Sequence, residues 1–223
     1  MVILPNWCWN NIEISGPAED LKKLVEQVKG EKTALDFNKV IPYPEDWAKA
    51  DKLHHQVSVD RDAEAVRQGY KSYYDMPNDK REVVAKQFPE VPDGYNNGGY
   101  TWCHENWGTK WNVDADIQGD PVEECVDYTF DSAWAPPEPI VKKLGEMFPT
   151  LAFHLKYNEP GMCFEGDLEI IGGKVTLDNC YDMPTYKCLK CGNEQQIPTD
   201  DDCGECWECG EADWEEVEVK KDE

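Results

Sequence analysis

The sequence predicts an α+β protein in three parts: a ferredoxin-like β-α-β-β-α-β body, a long polar insertion within it, and a C-terminal zinc ribbon held by four cysteines. Three observations predict this. A strand–helix–strand pattern occurs twice, near residues 8–41 and 126–157, and two such units in succession are what a split β-α-β sandwich requires. A polar stretch rich in turn residues separates them. Two Cys-x-x-Cys-Gly strings stand near the end of the chain.

In Cys8–Ile14, Ile12 and Ile14 share one face and Asn11 and Glu13 the other, the alternation of a half-buried strand. Gly16 suits a helix N-cap, Pro17 the first turn, and Glu19 and Asp20 the positive helix end. Leu21, Leu24, Val25 and Val28 then follow at i, i+3, i+4 and i+7 as one apolar stripe, and Gly30 stops the helix. Ala34–Ile41 reads as a second strand, ended by Pro42 and Pro44. From Pro44 to about Tyr100 the chain is polar and broken by turn signals such as Pro92-Asp93-Gly94, with Ala63–Tyr74 and Lys80–Phe88 as short helices.

The second unit starts where Val126, Tyr128 and Phe130 alternate with Asp127, Thr129 and Asp131. Pro136 and Pro137 open a helix with the stripe Ile140, Val141, Leu144, Met147 and Phe148, and Pro149 ends it. Leu151, Phe153, Leu155 and Tyr157 alternate as its last strand. Cys163–Ile170 and Lys174–Leu177 form a hairpin about Gly172-Gly173, since a type I′ turn needs positive φ at both central residues. The expected domains are a body over residues 1–180, with its insertion at about 44–104, and an acidic ribbon module over 183–223.

The formal charge is −24 and the pI is near 4.4. Nucleic-acid affinity rests largely on Lys and Arg displacing counterions from phosphates, so nucleic acid is an unfavoured partner, and an anionic membrane surface likewise. Such a surface serves solubility or faces a basic protein. Nine Trp and ten Tyr make the chain too aromatic for disorder despite its charge. Neither a secretory h-region nor an apolar run of membrane-spanning length is read in the sequence, which sets the expectation of a reducing cytoplasm. There, paired cysteines are metal ligands rather than disulfides.

Five of the ten cysteines fall within residues 188–209. Cys188, Cys191, Cys206 and Cys209 are the expected ligands, because Gly192 follows Cys191 as Gly210 follows Cys209. Cys203 has ligand spacing to Cys206 and is the alternate. Zinc is the expected ion and iron fits the same sulfur cage. With four protein ligands the site has no open position, so the ion is structural. The stretch 182–223 holds 14 acidic and 4 basic residues, which argues against a nucleic-acid-binding ribbon. Trp207 and Trp214 are placed to cover the ion.

Other constellations are weaker. Cys103-His104 with Cys8 would make a second metal site only if the fold brought them together. The acidic pairs Asp114/Asp116 and Glu165/Asp167 carry little information in so acidic a chain, and no phosphate loop or zinc-protease helix occurs. Several strings taken together do resemble a known family: Pro5-Asn6-Trp7-Cys8-x-Asn10, Asn106-Trp107-Gly108-Thr109-Lys110-Trp111, Phe130-Asp131-Ser132-Ala133-Trp134-Ala135-Pro136-Pro137, and Tyr157-Asn158-Glu159-Pro160-Gly161 with Phe164-Glu165-Gly166. They are similar to the YubB-like family of bacteriophages and plasmids over roughly residues 1–180. The resemblance implies a ferredoxin-like body and no assigned activity, hence no catalytic residues. The family tends to open directly at Met-Pro-Asn-Trp-Cys, whereas Val2-Ile3-Leu4 intervene here. A ligand or partner patch is expected, if anywhere, where Trp107, Lys110, Trp111, Trp134 and Glu159 converge.

The leading functional expectation is a non-enzymatic accessory protein of a phage or plasmid, acting in the host cytoplasm by protein contact. An enzyme built on the Trp107/Lys110/Trp111 region is the alternative, and nucleic-acid binding the second alternative.

Overall fold

The computed structural model describes residues 6–120, 125–199 and 203–217. In chain order the regular elements are β1 (Trp7–Ser15), α1 (Ala18–Val28), α2 (Glu45–Arg67), α3 (Asn78–Ala85), α4 (Tyr100–Trp107), β2 (Asp116–Asp120), β3 (Cys125–Ala133), α5 (Glu138–Met147), β4 (Ala152–Glu159), β5 (Phe164–Ile171), β6 (Lys174–Asp182), β7 (Thr185–Cys188), β8 (Glu194–Gln196) and β9 (Trp214–Glu216). They divide into two compact units: Met1–Ile41 with His104–Glu223, and Pro42–Cys103.

The first unit is built on a sheet in the order β2-β3-β1-β4-β5-β6 with every neighbouring pair antiparallel. β1 lies between β3 and β4, so Ile12 faces Tyr128 on one side and Leu155 on the other. Alternation does the rest. Ile12, Ile14, Tyr128, Phe153, Leu155 and Leu168 turn to one face and are fully buried. Leu21, Leu24 and Val28 of α1 and Ile140, Val141 and Leu144 of α5 are buried with them. This is the apolar stripe of each helix meeting the apolar face of a pleated sheet. The expected hairpin forms β5 and β6, with Gly172 at φ 62 and Gly173 at φ 71.

The expected strand at Ala34–Ile41 is absent. Leu35 and Phe37 are buried as an alternating pattern demands, but the backbone makes a 3-10 turn at Phe37–Lys39. Asp36 caps that turn by accepting from the Asn38 amide at 2.9 Å, and Asn112 ties down the Phe37 amide at 3.0 Å. A side chain offering the backbone such a local bond competes with a ladder partner. The strand paired beside β3 is instead Asp116–Asp120, a short edge strand with little apolar content.

In the Pro42–Cys103 unit, the helix expected over Ala63–Tyr74 is the end of the 23-residue α2, which stops at Arg67, and the helix expected over Lys80–Phe88 is α3. Only Val57 and Ala65 of α2 are buried, so its sequence shows no apolar stripe. One cluster joins Ala65, Met76 and Val84 with Tyr70, Tyr73 and Phe88. A second is aromatic: Tyr43 packs on Trp47 and Trp102, and its hydroxyl donates to Asp51, which also accepts from the Tyr95 amide.

Gly166 in β5 is required for space. A Cβ there would collide with the Asn179 carbonyl and the Tyr157 hydroxyl. Gly166→Ala is expected to cost about 1–3 kcal/mol by overpacking, read as a lower denaturant midpoint at unchanged slope.

Candidate metal centre

The C-terminal module is a three-stranded sheet in the order β8-β7-β9 carrying two turns of the same build. In the first, the Gly192 amide donates to the Cys188 carbonyl at 2.8 Å and the Cys188 amide to the Asn193 carbonyl at 2.8 Å. In the second, Gly210 donates to Cys206 and Cys206 to Glu211, each at 2.7 Å. Gly192 and Gly210 have φ of 76 and 75, the left-handed conformation that glycine adopts without strain. The sheet joins the turns: Cys188 pairs with Trp214 in register, the Leu189 amide donates to the Asp213 carbonyl, and Lys190 forms an ion pair with Glu211.

The four expected sulfurs are thereby brought together, all within 4.8 Å of one another. Cys188 and Cys209 stand 3.6 Å apart, and Cys191 and Cys206 3.7 Å. Four sulfurs each about 2.3 Å from one ion would stand about 3.8 Å apart along the edges of a tetrahedron, so the donor set fits a tetrahedral metal. Among the described residues this is the one such cluster of three or more metal-binding side chains, and Cys203 is not in it.

The thiols also show why a cation belongs there. The Cys191 amide, with that of Lys190, points at the Cys188 sulfur and holds its thiol down to about 7 against the effect of burial. The Glu211 amide pulls Cys209 down, but burial and the neighbouring sulfurs of Cys191, Cys188 and Cys206 outweigh it and push that thiol up to about 12. One thiolate in the cluster thus opposes the ionisation of the next, and a dication removes the conflict.

The two expected lid residues differ in setting. Trp207 is 70% exposed, and Trp214 directs its indole N–H to the Gly204 carbonyl at 2.9 Å. Cys8 and Cys103 are buried, and burial pushes their thiols up to about 12 and about 11, which keeps them protonated and unreactive.

The five patch residues take different roles. Trp107 is buried against Phe37 and donates its indole N–H to the Ile41 carbonyl at 2.8 Å. The Lys110 ammonium lies 4.8 Å from the Trp134 ring centre and 5.8 Å from that of Trp111, and Trp111 meets Trp7 edge-on. Glu159 is buried and accepts from the Gly161 and Met162 amides, closing the turn after β4.

The strings that carry the sequence resemblance also knit together. Buried Thr109 accepts from the Ala133 amide and donates to its carbonyl, both at 2.9 Å. Trp134, held at φ 74 where bulky residues rarely sit, donates its amide to the Asn6 carbonyl at 3.0 Å. Buried Asn10 donates to the Ser132 hydroxyl at 2.8 Å.

Sequence reasoning missed Glu165. It is 6% exposed and receives the backbone amide of Thr199 at 2.8 Å together with the Thr199 hydroxyl. Thr199 belongs to the segment between the two cysteine turns, so Glu165 moors the metal module on the large sheet. A strand position that alternation turns away from the core gives no signal for this.

Residues 106–198 match the family model described as a ferredoxin-like domain in Api92-like protein. Among solved structures, the protein api92 from Yersinia pseudotuberculosis is similar, with 14% sequence identity, 80% of this chain and 98% of that one covered, and a TM-score of 0.45. No curated protein matches. Among the described residues no helix is long and apolar enough to cross a membrane.

Cys188→Ser or Cys206→Ser is expected to abolish metal retention, whereas Cys203→Ser keeps one ion per chain, as counted by native mass spectrometry. Metal is expected to be held at neutral pH and released as pH falls, because protons compete for the same thiolates. Chelation is expected to speed amide exchange in residues 185–199 and 203–217 before the six-stranded sheet is affected.

Proposed function

We propose that this chain is a non-enzymatic accessory protein that works by contact with a basic protein partner, and that its C-terminal module is held by one structural zinc ion. The observation that carries the structural-ion part of the reading is the four-sulfur set, in which the chain itself supplies a donor for each of the four tetrahedral positions. An ion bound so has no vacant position for substrate or water. Zinc is proposed over iron because the site asks only for charge neutralisation and tetrahedral geometry, which zinc supplies without redox chemistry. Among the described residues of the module the buried apolar ones are few, Met183, Cys188, Ile197, Pro198 and Cys206, and a segment with so small a core needs such a staple.

The body is read as a complete ferredoxin-like β-α-β-β-α-β domain, in which β1, α1 and β2 form one split unit and β3, α5 and β4 the other. The strand order supports this, and the matching family model supports the part from β2 onward. A phage or plasmid origin is supported by the motif strings that resemble the YubB-like family. The net charge of −24 supports a cationic partner and disfavours nucleic acid. The alternative of an enzyme around Trp107, Lys110 and Trp111 has less in its favour, since Trp107 spends its polar atom on the backbone and Lys110 rests on two indole faces.

Elemental analysis of purified, tag-free protein is expected to give one zinc per chain. Pull-down from host lysate is expected to capture a basic protein at low salt and release it at high salt. Iron in place of zinc would overturn the ion's identity, and capture of nothing at either salt would overturn the partner reading.

A further inference from the structure

The sheet face opposite α1 and α5 carries a concavity that the metal centre does not use. Strand register lines up one row of side chains across five strands of this face: Asp131, Trp9, Asn158, Glu165 and Tyr181, each paired with the next. Trp9 and Tyr181 are 40% and 45% exposed and stand three strand spacings, about 14 Å, apart. Between them is a cleft of ≈ 470 Å³, within the range of ligand sites. Lys156, Asn158 and Asp167 contribute to its lining, and Thr199 of the metal module lines it as well. Asp167 is already oriented: His154 Nε2 lies 3.0 Å from one carboxylate oxygen, and the Tyr181 hydroxyl donates to the other at 3.3 Å.

We propose that this cleft receives an arginine or lysine side chain from an extended basic segment of a partner protein. The proposal rests on the basic-partner reading above and assigns it a place. Indole and phenol rings present a negative face that attracts guanidinium and ammonium groups, and Asp167 supplies the counter-charge. The surroundings set the sign of the occupant. Glu13, Asp127, Asp131 and Glu169 share this face by strand alternation, against Lys156 and His154. A polyanion would meet that field as repulsion, while a cationic peptide meets it as steering. Lys156 is the local element that works against the peptide.

The test is fluorescence anisotropy on zinc-loaded, full-length protein, with a labelled short peptide of alternating arginine and serine. The controls are a glutamate–serine peptide and a single-stranded oligonucleotide. Trp9→Ala and Tyr181→Ala alter no net charge and are expected to weaken arginine-peptide binding about three- to tenfold, while Trp9→Phe retains most of it. Lys156→Ala is expected to tighten binding, and Glu26→Gln, on α1, to leave it near wild type. Wild-type affinity in both Trp9→Ala and Tyr181→Ala would overturn the cleft, leaving the basic-partner reading to stand or fall on the lysate capture. Oligonucleotide binding that weakens in Lys156→Ala would overturn it in favour of an anionic occupant.

Discussion

The body depends on a single strand having two partners from distant parts of the chain. β1 is the first strand, yet it pairs with β3 and β4, more than a hundred residues later. Asn10 reinforces the first of these pairings from inside, with its side chain fully buried and donating to the Cys8 carbonyl and the Ser132 hydroxyl. Asn10 helps to fix register: a slip of one residue against β3 would take the Ser132 hydroxyl away from its amide and turn Ile12 and Ile14 outward. The turns at the Trp7 end of β1 answer to the same constraint. Thr109, Trp134 and Glu159 each spend hydrogen bonds on closing a chain reversal there. What resembles a family fingerprint in the sequence is, in space, the stitching around one end of the central strand.

A second constraint acts on the C-terminal module and is electrostatic. Backbone amides in the two cysteine turns favour thiolate, while the sulfurs oppose one another's ionisation. Such a cluster could hold a metal ion, whose charge would relieve that opposition. The module is also moored at Glu165, so the closed loop between Cys191 and Cys206 is pinned at both ends by sulfur and in the middle by a carboxylate from the large sheet. A carboxylate in an acidic chain is easily dismissed as solvating. This one is buried because it satisfies two donors at once.

What was legible in the sequence was what is local. The Cys-x-x-Cys-Gly spacing specifies its turns without reference to the rest of the chain, and Leu21, Leu24 and Val28 declare a buried helix face through period alone. What was not legible depended on distant partners or on competing local bonds. Ala34–Ile41 has the apolar alternation of a strand, but Asp36 and Asn112 bind its amides first. Asp116–Asp120 is an edge strand whose pairing comes from β3, so its own side chains carry no pattern. α2 is too solvated to show a stripe. The row from Trp9 to Tyr181 exists only once three strand registers are known, since its members lie scattered over the whole length of the body.

The indole of Trp107 bonded to the carbonyl of Ile41 has a consequence for how the chain accommodates its middle. That bond spans 66 residues of sequence and sets the points where the excursion leaves and rejoins the body within one hydrogen bond of each other. The Pro42–Cys103 unit between those points is compact and carries side-chain clusters of its own, so what the chain holds there is a folded insert and not a slack loop. A folded insert joined to the body at two adjacent points could be exchanged for one of another length with every strand of the sheet keeping its register.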